Sequence, residues 1–238
     1  MKLNLSELVL ADIKTHVANE LPREACGVLV VVKGKYRYIP CKNIAENNTV
    51  DFTICPEDYA AAEDLGSIVC IVHSHPYATA TPSQADLVGC ELSKLPWLII
   101  SWPSEVLYYW EPNGYIAPLV GREFHHGVLD CYSIIQDYYK EKLNIQLKTP
   151  YRRDKWWEKG DNLYLDLHKE WGFTQVDSPK THDVVLMRIG SNVPNHGVIW
   201  LGDGTILHHQ SGRLSSIDVY GGWFRKITSH ILRHESQL

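Results

Sequence analysis

Residues 67–76, Ser-Ile-Val-Cys-Ile-Val-His-Ser-His-Pro, decide how this chain is read. The β-branched run over 67–75 predicts a central strand, and Pro76 stops it. Alternate strand residues share a face, so His73 and His75 point the same way. A helix is predicted over 83–94. Thr81 is its expected N-cap, Pro82 fits the first helical position, and Gln84 completes a capping box. Ser83 and Asp86 then fall three apart on one helical face. Two histidines and one carboxylate form a three-ligand zinc set that leaves a fourth position open.

Working outward, a hydrolase needs a base for the attacking water. Glu24 is the candidate, in Pro22-Arg-Glu-Ala-Cys-Gly just before the first strand. Leu5, Leu8, Val9, Ile13 and Val17 recur at helical spacing over 3–20, and Leu21-Pro22 ends that helix. Strands are expected at 26–33 and 35–41 about a turn at Gly34, a helix at 57–65, and strands at 97–102 and 105–110. This makes an α/β unit.

A lone H-x-H is usually ordinary surface or core histidine. The full string H-x-H-x7-S-x2-D would arise by chance in roughly one chain of this length in several hundred. Glu24 followed by His73, His75, Ser83 and Asp86 resembles the JAMM (MPN-plus) metalloproteases at every motif position. The resemblance covers about residues 1–112. It implies a cytidine-deaminase-like three-layer fold, with Zn2+ on His73, His75 and Asp86. It further implies Glu24 as general acid/base and Ser83 at the oxyanion.

Glu111-Pro-Asn-Gly breaks the pattern, and 113–128 is expected as a linker between domains at 1–112 and 129–238. Beyond it a helix is predicted at 131–143, with Ile134, Ile135, Tyr138, Tyr139 and Leu143 on its buried side. Residues 154–171 are Trp-rich and helical in two pieces. Strands follow at 183–188, 196–201, 204–209 and 213–218. Helices first and a sheet afterwards indicate an α+β domain.

Asp130 can N-cap the helix at 131, placing Cys131 in the first turn, where a thiolate is stabilised. An isolated Cys is more often a plain buried thiol. Adjacent antiparallel strands can bring His196 and His208 together, His196 as base for Cys131 and His208 orienting it, while His209 points to the other face. His196-Gly-Val-Ile-Trp-Leu-Gly-Asp-Gly, with His208 twelve residues on, resembles the NlpC-like cysteine peptidases of papain-like fold. Their Ser-Gly after the cysteine is Tyr132-Ser133 here, and their Gly-Asp before the first strand is His182-Asp183. The resemblance covers about residues 120–238.

The 238 residues carry a formal net charge of −5 with no block of like charges, which argues against a nucleic-acid partner. No apolar run reaches the ~18 residues of a membrane span, and Met1 to Leu10 lack a cleavage-like site. The expected location is therefore a cytoplasm, without stable membrane insertion. The six cysteines include no C-x-x-C pair, so neither a zinc knuckle nor a disulfide framework is expected.

The order of the two halves resembles the phage tail assembly protein K family of lambda-like phages. Further carriers of that likeness are Pro118-Leu-Val-Gly-Arg-Glu-Phe, His126-Gly-Val-Leu-Asp-Cys-Tyr, the Trp156-Trp157 pair and His208-His209. It implies a bifunctional tail hydrolase whose partners are tail tip proteins and the peptidoglycan stem peptide, reaching the periplasm with the virion tail. The alternative is a non-catalytic assembly factor with vestigial sites.

Overall fold

A computed structural model describes residues 3–237; residues 1, 2 and 238, which the predicted domain bounds and the leader reading include, lie outside it. The chain divides into two compact units, Met1–Ile116 and Ala117–Leu238.

In the first unit, α1 (Glu7–Glu20) is N-capped by Ser6 and buries Val9, Ile13 and Val17. It starts later than the apolar spacing suggested, and Leu8 is exposed. The strands are β1 (Cys26–Val32), β2 (Lys35–Cys41), β3 (Ser67–Pro76), β4 (Trp97–Trp102) and β5 (Leu107–Trp110), in the sheet order β2-β1-β3-β4-β5. Among the described pairings of this sheet, β3–β4 alone is parallel. Helix α2 (Pro56–Leu65) precedes β3, and α3 (Gln84–Ser93) links β3 to β4.

Alternation sorts the layers. Leu29, Val72, Leu98 and Ile100 pack with α1 on one face. Val28, Val30, Ile71 and Trp97 pack with Ala62 of α2 and Cys90 of α3 on the other. The result is a three-layer α/β sandwich. His73 and His75 share the parity of Ile71, so the strand period aims both at the α3 layer.

In the second unit, α4 (Cys131–Tyr138) passes into a π-turn over Tyr139–Leu143. A 3-10 turn at Trp156–Glu158 and the short helix α5 (Leu163–Leu167) follow. The strands are β6 (Phe173–Gln175), β7 (Val184–Met187), β8 (His196–Gly202), β9 (Thr205–His208), β10 (Ser216–Val219) and β11 (Thr228–His234). They form a sheet ordered β10-β9-β8-β7-β11-β6, antiparallel at each described pairing. Helix α6 (Gly222–Ile227) lies between β10 and β11. Helix α4 covers Val184, Leu186, Ile199 and Leu207 on one face. Phe224 and Ile227 pack near Val185, Met187, Val198 and Ile206 on the other. Strands β6 and β11 and helix α6 were not foreseen.

The stretch 113–128 is not a free linker. From Ala117 onward it is built into the second unit, because Arg122 is fully buried there. The guanidinium donates to the carbonyls of Ala117 and Pro118 and to Asp137. Its backbone neighbours pair with Ser215: Gly121 N donates to Ser215 O, and Ser215 N donates to Arg122 O. Buried backbone carbonyls need donors, and one Arg fork supplies several. Among the described residues no helix is long and apolar enough to cross a membrane, and all six cysteines are free.

Arg122→Met should lower the unfolding free energy of the second unit by about 2–3 kcal/mol, the worth of charged hydrogen bonds lost in a buried site. It should also speed hydrogen exchange at Gly121 and Ser215. Unchanged protection at those two amides would refute the clamp.

Candidate active sites

The first site forms where β3 ends and α3 begins. Helix α3 starts at Gln84, so Ser83, not Thr81, is the N-cap, and Asp86 is its third residue. The box is reciprocal: Asp86 N donates to Ser83 Oγ at 3.1 Å, and Ser83 N donates to Asp86 Oδ2 at 2.7 Å. Ser83 wins the cap because its partner three residues on is an acid that can accept its N–H. Asp86 is thereby swung toward the strand end. Its oxygens lie 3.2 Å from His73 Nε2 and 3.4 Å from His75 Nε2, and the two imidazole nitrogens are 3.1 Å apart.

Those separations fit a zinc ion. Donors 2.0–2.1 Å from a tetrahedral centre stand about 3.3 Å from one another. The tautomers fit as well. His75 Nδ1 bonds the Thr79 carbonyl at 2.8 Å, which leaves Nε2 with its lone pair toward the triad. His73 is buried, stacked on Phe52 at 4.5 Å and edge-on to Trp97 at 5.4 Å. Its Nδ1 finds no hydrogen-bond partner among the described residues, and its Nε2 is the nitrogen that faces Asp86 and His75.

Burial pulls the His73 pKa below its usual value against the pull of Asp86. Burial also works on His75, but Asp86, the Thr79 carbonyl and Glu24 outweigh it and raise the value. Asp86 resists burial through His73, His75 and the Ser83 amide, and stays far below the carboxylate range.

Glu24 is buried at the entrance to β1. Cys26 pairs with His73, and Ala25 and Ser74 exchange hydrogen bonds at 2.9 Å, so Glu24 falls across from His75. The structure thus brings His73, His75 and Asp86 together with Glu24 and Ser83 beside them.

The second site starts at the N-terminus of α4. Asp130 accepts from Tyr132 N at 2.9 Å and Ser133 N at 2.8 Å, and Asp130 N donates to Ser133 Oγ at 2.6 Å. Arg152 Nη2 and Gly127 N also donate to Asp130 Oδ2. Burial would raise the Asp130 pKa, but Arg152 and these amides hold it low. The cap sets Cys131 as the first helical residue, half-buried. Its sulfur lies 3.5 Å from Tyr164 Oη and 4.0 Å from the Asn195 carbonyl.

Cys131 and His196 line one cleft together with Asp130, Arg152, Trp156 and Tyr164. No hydrogen bond joins Cys131 to His196, whose Nε2 has no partner among the described residues. Burial and the charge of Asp130 raise the Cys131 pKa. Burial and the neighbouring His208 and His209 push His196 down to about 3. The pair therefore rests as neutral thiol and neutral imidazole.

His208 is beside His196, rings 5.7 Å apart and edge to face. Its Nε2 bonds Asp218 Oδ2 at 2.9 Å. Asp218 sits on β10, and nothing in its local sequence marks it. His209 is fully buried, its ring edge-on to Phe124 at 5.2 Å. In the sequence Tyr164 stands only within a Trp-rich helical stretch, with nothing to mark it as a site residue. Asn195 brackets Ile189 through both side-chain atoms, at 2.8 and 2.9 Å, which ties down the entry to β8.

Comparison with known proteins follows the same division. Residues 6–111 match the Prok-JAB family, prokaryotic homologs of the JAB domain, and residues 121–233 match the NlpC/P60 family. Tail tip assembly protein K of Escherichia phage N15 is 41% identical over 227 residues, 94% of this chain and 93% of that protein. Tail tip assembly protein K of Escherichia phage lambda is 38% identical over 183 residues, 76% of this chain and 89% of that protein. The crystal structure of an NlpC/P60 family protein from Bacillus cereus aligns with TM-score 0.35 and 11% identity, over 92% of this chain and 66% of that chain.

The buried histidines of the second unit make it acid-sensitive. His196 is held at about 3 and His209, by burial and then Arg122, at about 4. In the unfolded chain both take a proton near 6.5. Between those values the unfolded state binds more protons, so stability is full above about pH 6.5 and is lost as pH falls toward 4. Urea unfolding of the second unit at about pH 7.5 and about pH 4.5 should show this loss, and His209→Phe should recover on the order of 2 kcal/mol of it. Equal acid loss in both proteins would contradict the account.

Proposed function

The chain belongs to the tail tip assembly protein K family, with a Prok-JAB half followed by an NlpC/P60 half, and on that premise we propose that it is a two-site hydrolase of the phage tail tip. The cysteine site cleaves peptidoglycan stem peptides as the tail crosses the cell wall. The zinc site is an (iso)peptidase acting on a tail tip protein. The observation that carries the reading is Cys131 at the first position of a capped helix, in one cleft with His196.

In the cysteine site, His196 takes the Cys131 proton and the thiolate adds to the scissile carbonyl carbon. The C–N bond then breaks as His196 returns the proton to the departing amine. Water, deprotonated by the same imidazole, cleaves the thioester and restores the thiol. His208, tied to Asp218, packs behind His196 and supports its orientation.

In the first site, zinc held by His73, His75 and Asp86 would polarise a carbonyl and acidify water. Glu24, near enough to His75 to raise its pKa, would move the proton from attacking water to leaving amine. Ser83 Oγ accepts from Asp86 N, which leaves its hydroxyl hydrogen to donate to the developing oxyanion.

Metal analysis of the purified chain should find about one zinc per molecule, and His73→Ala should abolish it; metal-free native protein, even after incubation with zinc, would remove the first half of the proposal. Purified peptidoglycan should release cleaved stem peptides with the wild type and none with Cys131→Ala. Absence of cleavage by the wild type, or equal cleavage by the variant, would leave the chain an assembly factor in its second half.

A further inference from the structure

The polar side chain in hydrogen-bond reach of the Cys131 sulfur is Tyr164, on the five-residue helix α5, thirty-three positions along the chain. We propose that Tyr164 is a catalytic residue of the cysteine site, its hydroxyl donating a hydrogen bond to the Cys131 thiolate, and that residue 197 is glycine to make room for that hydroxyl. This rests on Cys131 being the nucleophile.

Geometry supports it from two sides. Tyr164 is buried, and its ring is fixed edge-on between Tyr132 and Trp156, at 6.2 and 6.0 Å. Its hydroxyl oxygen lies 3.5 Å from the sulfur. Gly197, the residue after His196, closes the other side. A Cβ there would meet Tyr164 Oη at 2.9 Å and Ile135 Cδ1 at 2.8 Å. The backbone at 197 does not require glycine, because Gly197 is not among the residues with positive φ. The absent side chain serves space, and that space is taken by the phenol together with Ile135.

The chemistry fits a donor. Asp130, next to Cys131, opposes a second negative charge, and burial works the same way. Against these stand the Tyr164 hydroxyl, the Gly197 amide and the Arg152 guanidinium. His126 and His196 face the same cleft, and the Asn195 carbonyl approaches the sulfur as an acceptor that a thiolate cannot use. The phenol itself stays protonated, since burial and Cys131 push it well above its ordinary value. Once His196 has removed the thiol proton, the hydroxyl is held ready to donate to sulfur without any rearrangement.

The test needs no substrate. The full chain is treated with iodoacetamide across a pH series, and Cys131 carbamidomethylation is timed by peptide mass spectrometry. Each event forms an S–C bond, expels iodide and releases the thiol proton to solvent. Because the other five cysteines all belong to the first unit, urea unfolding of each variant checks the integrity of the second. Tyr164→Phe keeps the ring and deletes the hydroxyl. It should slow Cys131 about tenfold near neutrality, moving its apparent pKa up by about one unit, with the high-pH plateau unchanged. Gly197→Ala should reproduce the shift by displacing the phenol. A Tyr164→Phe profile that superimposes on the wild type overturns the proposal, and a normal profile in Gly197→Ala overturns the spatial role of glycine. Peptidoglycan left uncut by a chain that shows the predicted shift would defeat the wall-hydrolase reading alone.

Discussion

The first turn of an α-helix leaves several amide N–H groups without partners, and both candidate sites are answers to that shortage. At α3 the answer is Ser83 with Asp86; at α4 it is Asp130 with Ser133. Each box is reciprocal, so each fixes the side chains of two residues and the direction in which the helix leaves the preceding loop. At α3 that direction delivers a carboxylate to the end of β3, where His73 and His75 already share a face. At α4 it delivers a thiol to the start of β8. Sheet alternation supplies one half of each site and helix capping supplies the other.

The two sites differ in how they treat charge. Asp86 gathers two imidazoles and an amide around a carboxylate in a mostly buried setting, an arrangement that a cation would complete. The cysteine cleft instead pairs its one buried acid, Asp130, with Arg152 and keeps sulfur and imidazole neutral. In the proposed reaction, charge separation there would wait until a substrate enters and excludes water. The walls favour that, with Trp156, Trp157 and Trp171 lining the cleft.

Much of this could be seen in the residues, for physical reasons that can be named. His73 and His75 are two apart on a strand that ends in proline, and that period survives any tertiary context. Cys131 after Asp130 carries its own cap. The start of α3 moved because two capping solutions competed, and Asp86 favoured Ser83 over Thr81. The prolines and glycines of 113–128 suggest looseness, whereas from Ala117 onward a single buried Arg122 holds the stretch. Strand β11 was missed because Thr228–His234 alternates weakly: four of its residues are half-buried and the last three are buried. Asp218 and Tyr164 reach their sites through β10 and α5, and no local pattern announces a contact made across a fold.

The capping role of Asp86 and Asp130 also bears on how relatives with worn-out sites should look. A chain that no longer needed zinc would still need Asp86 to begin α3, and one that no longer needed a nucleophile would still need Asp130 to begin α4. Purifying selection on foldability would keep both aspartates in dead enzymes. In a lineage comparison, retention of the acids is therefore uninformative about turnover, and drift would register first at His73, His75, Cys131 and His196, which carry no helix on their side chains.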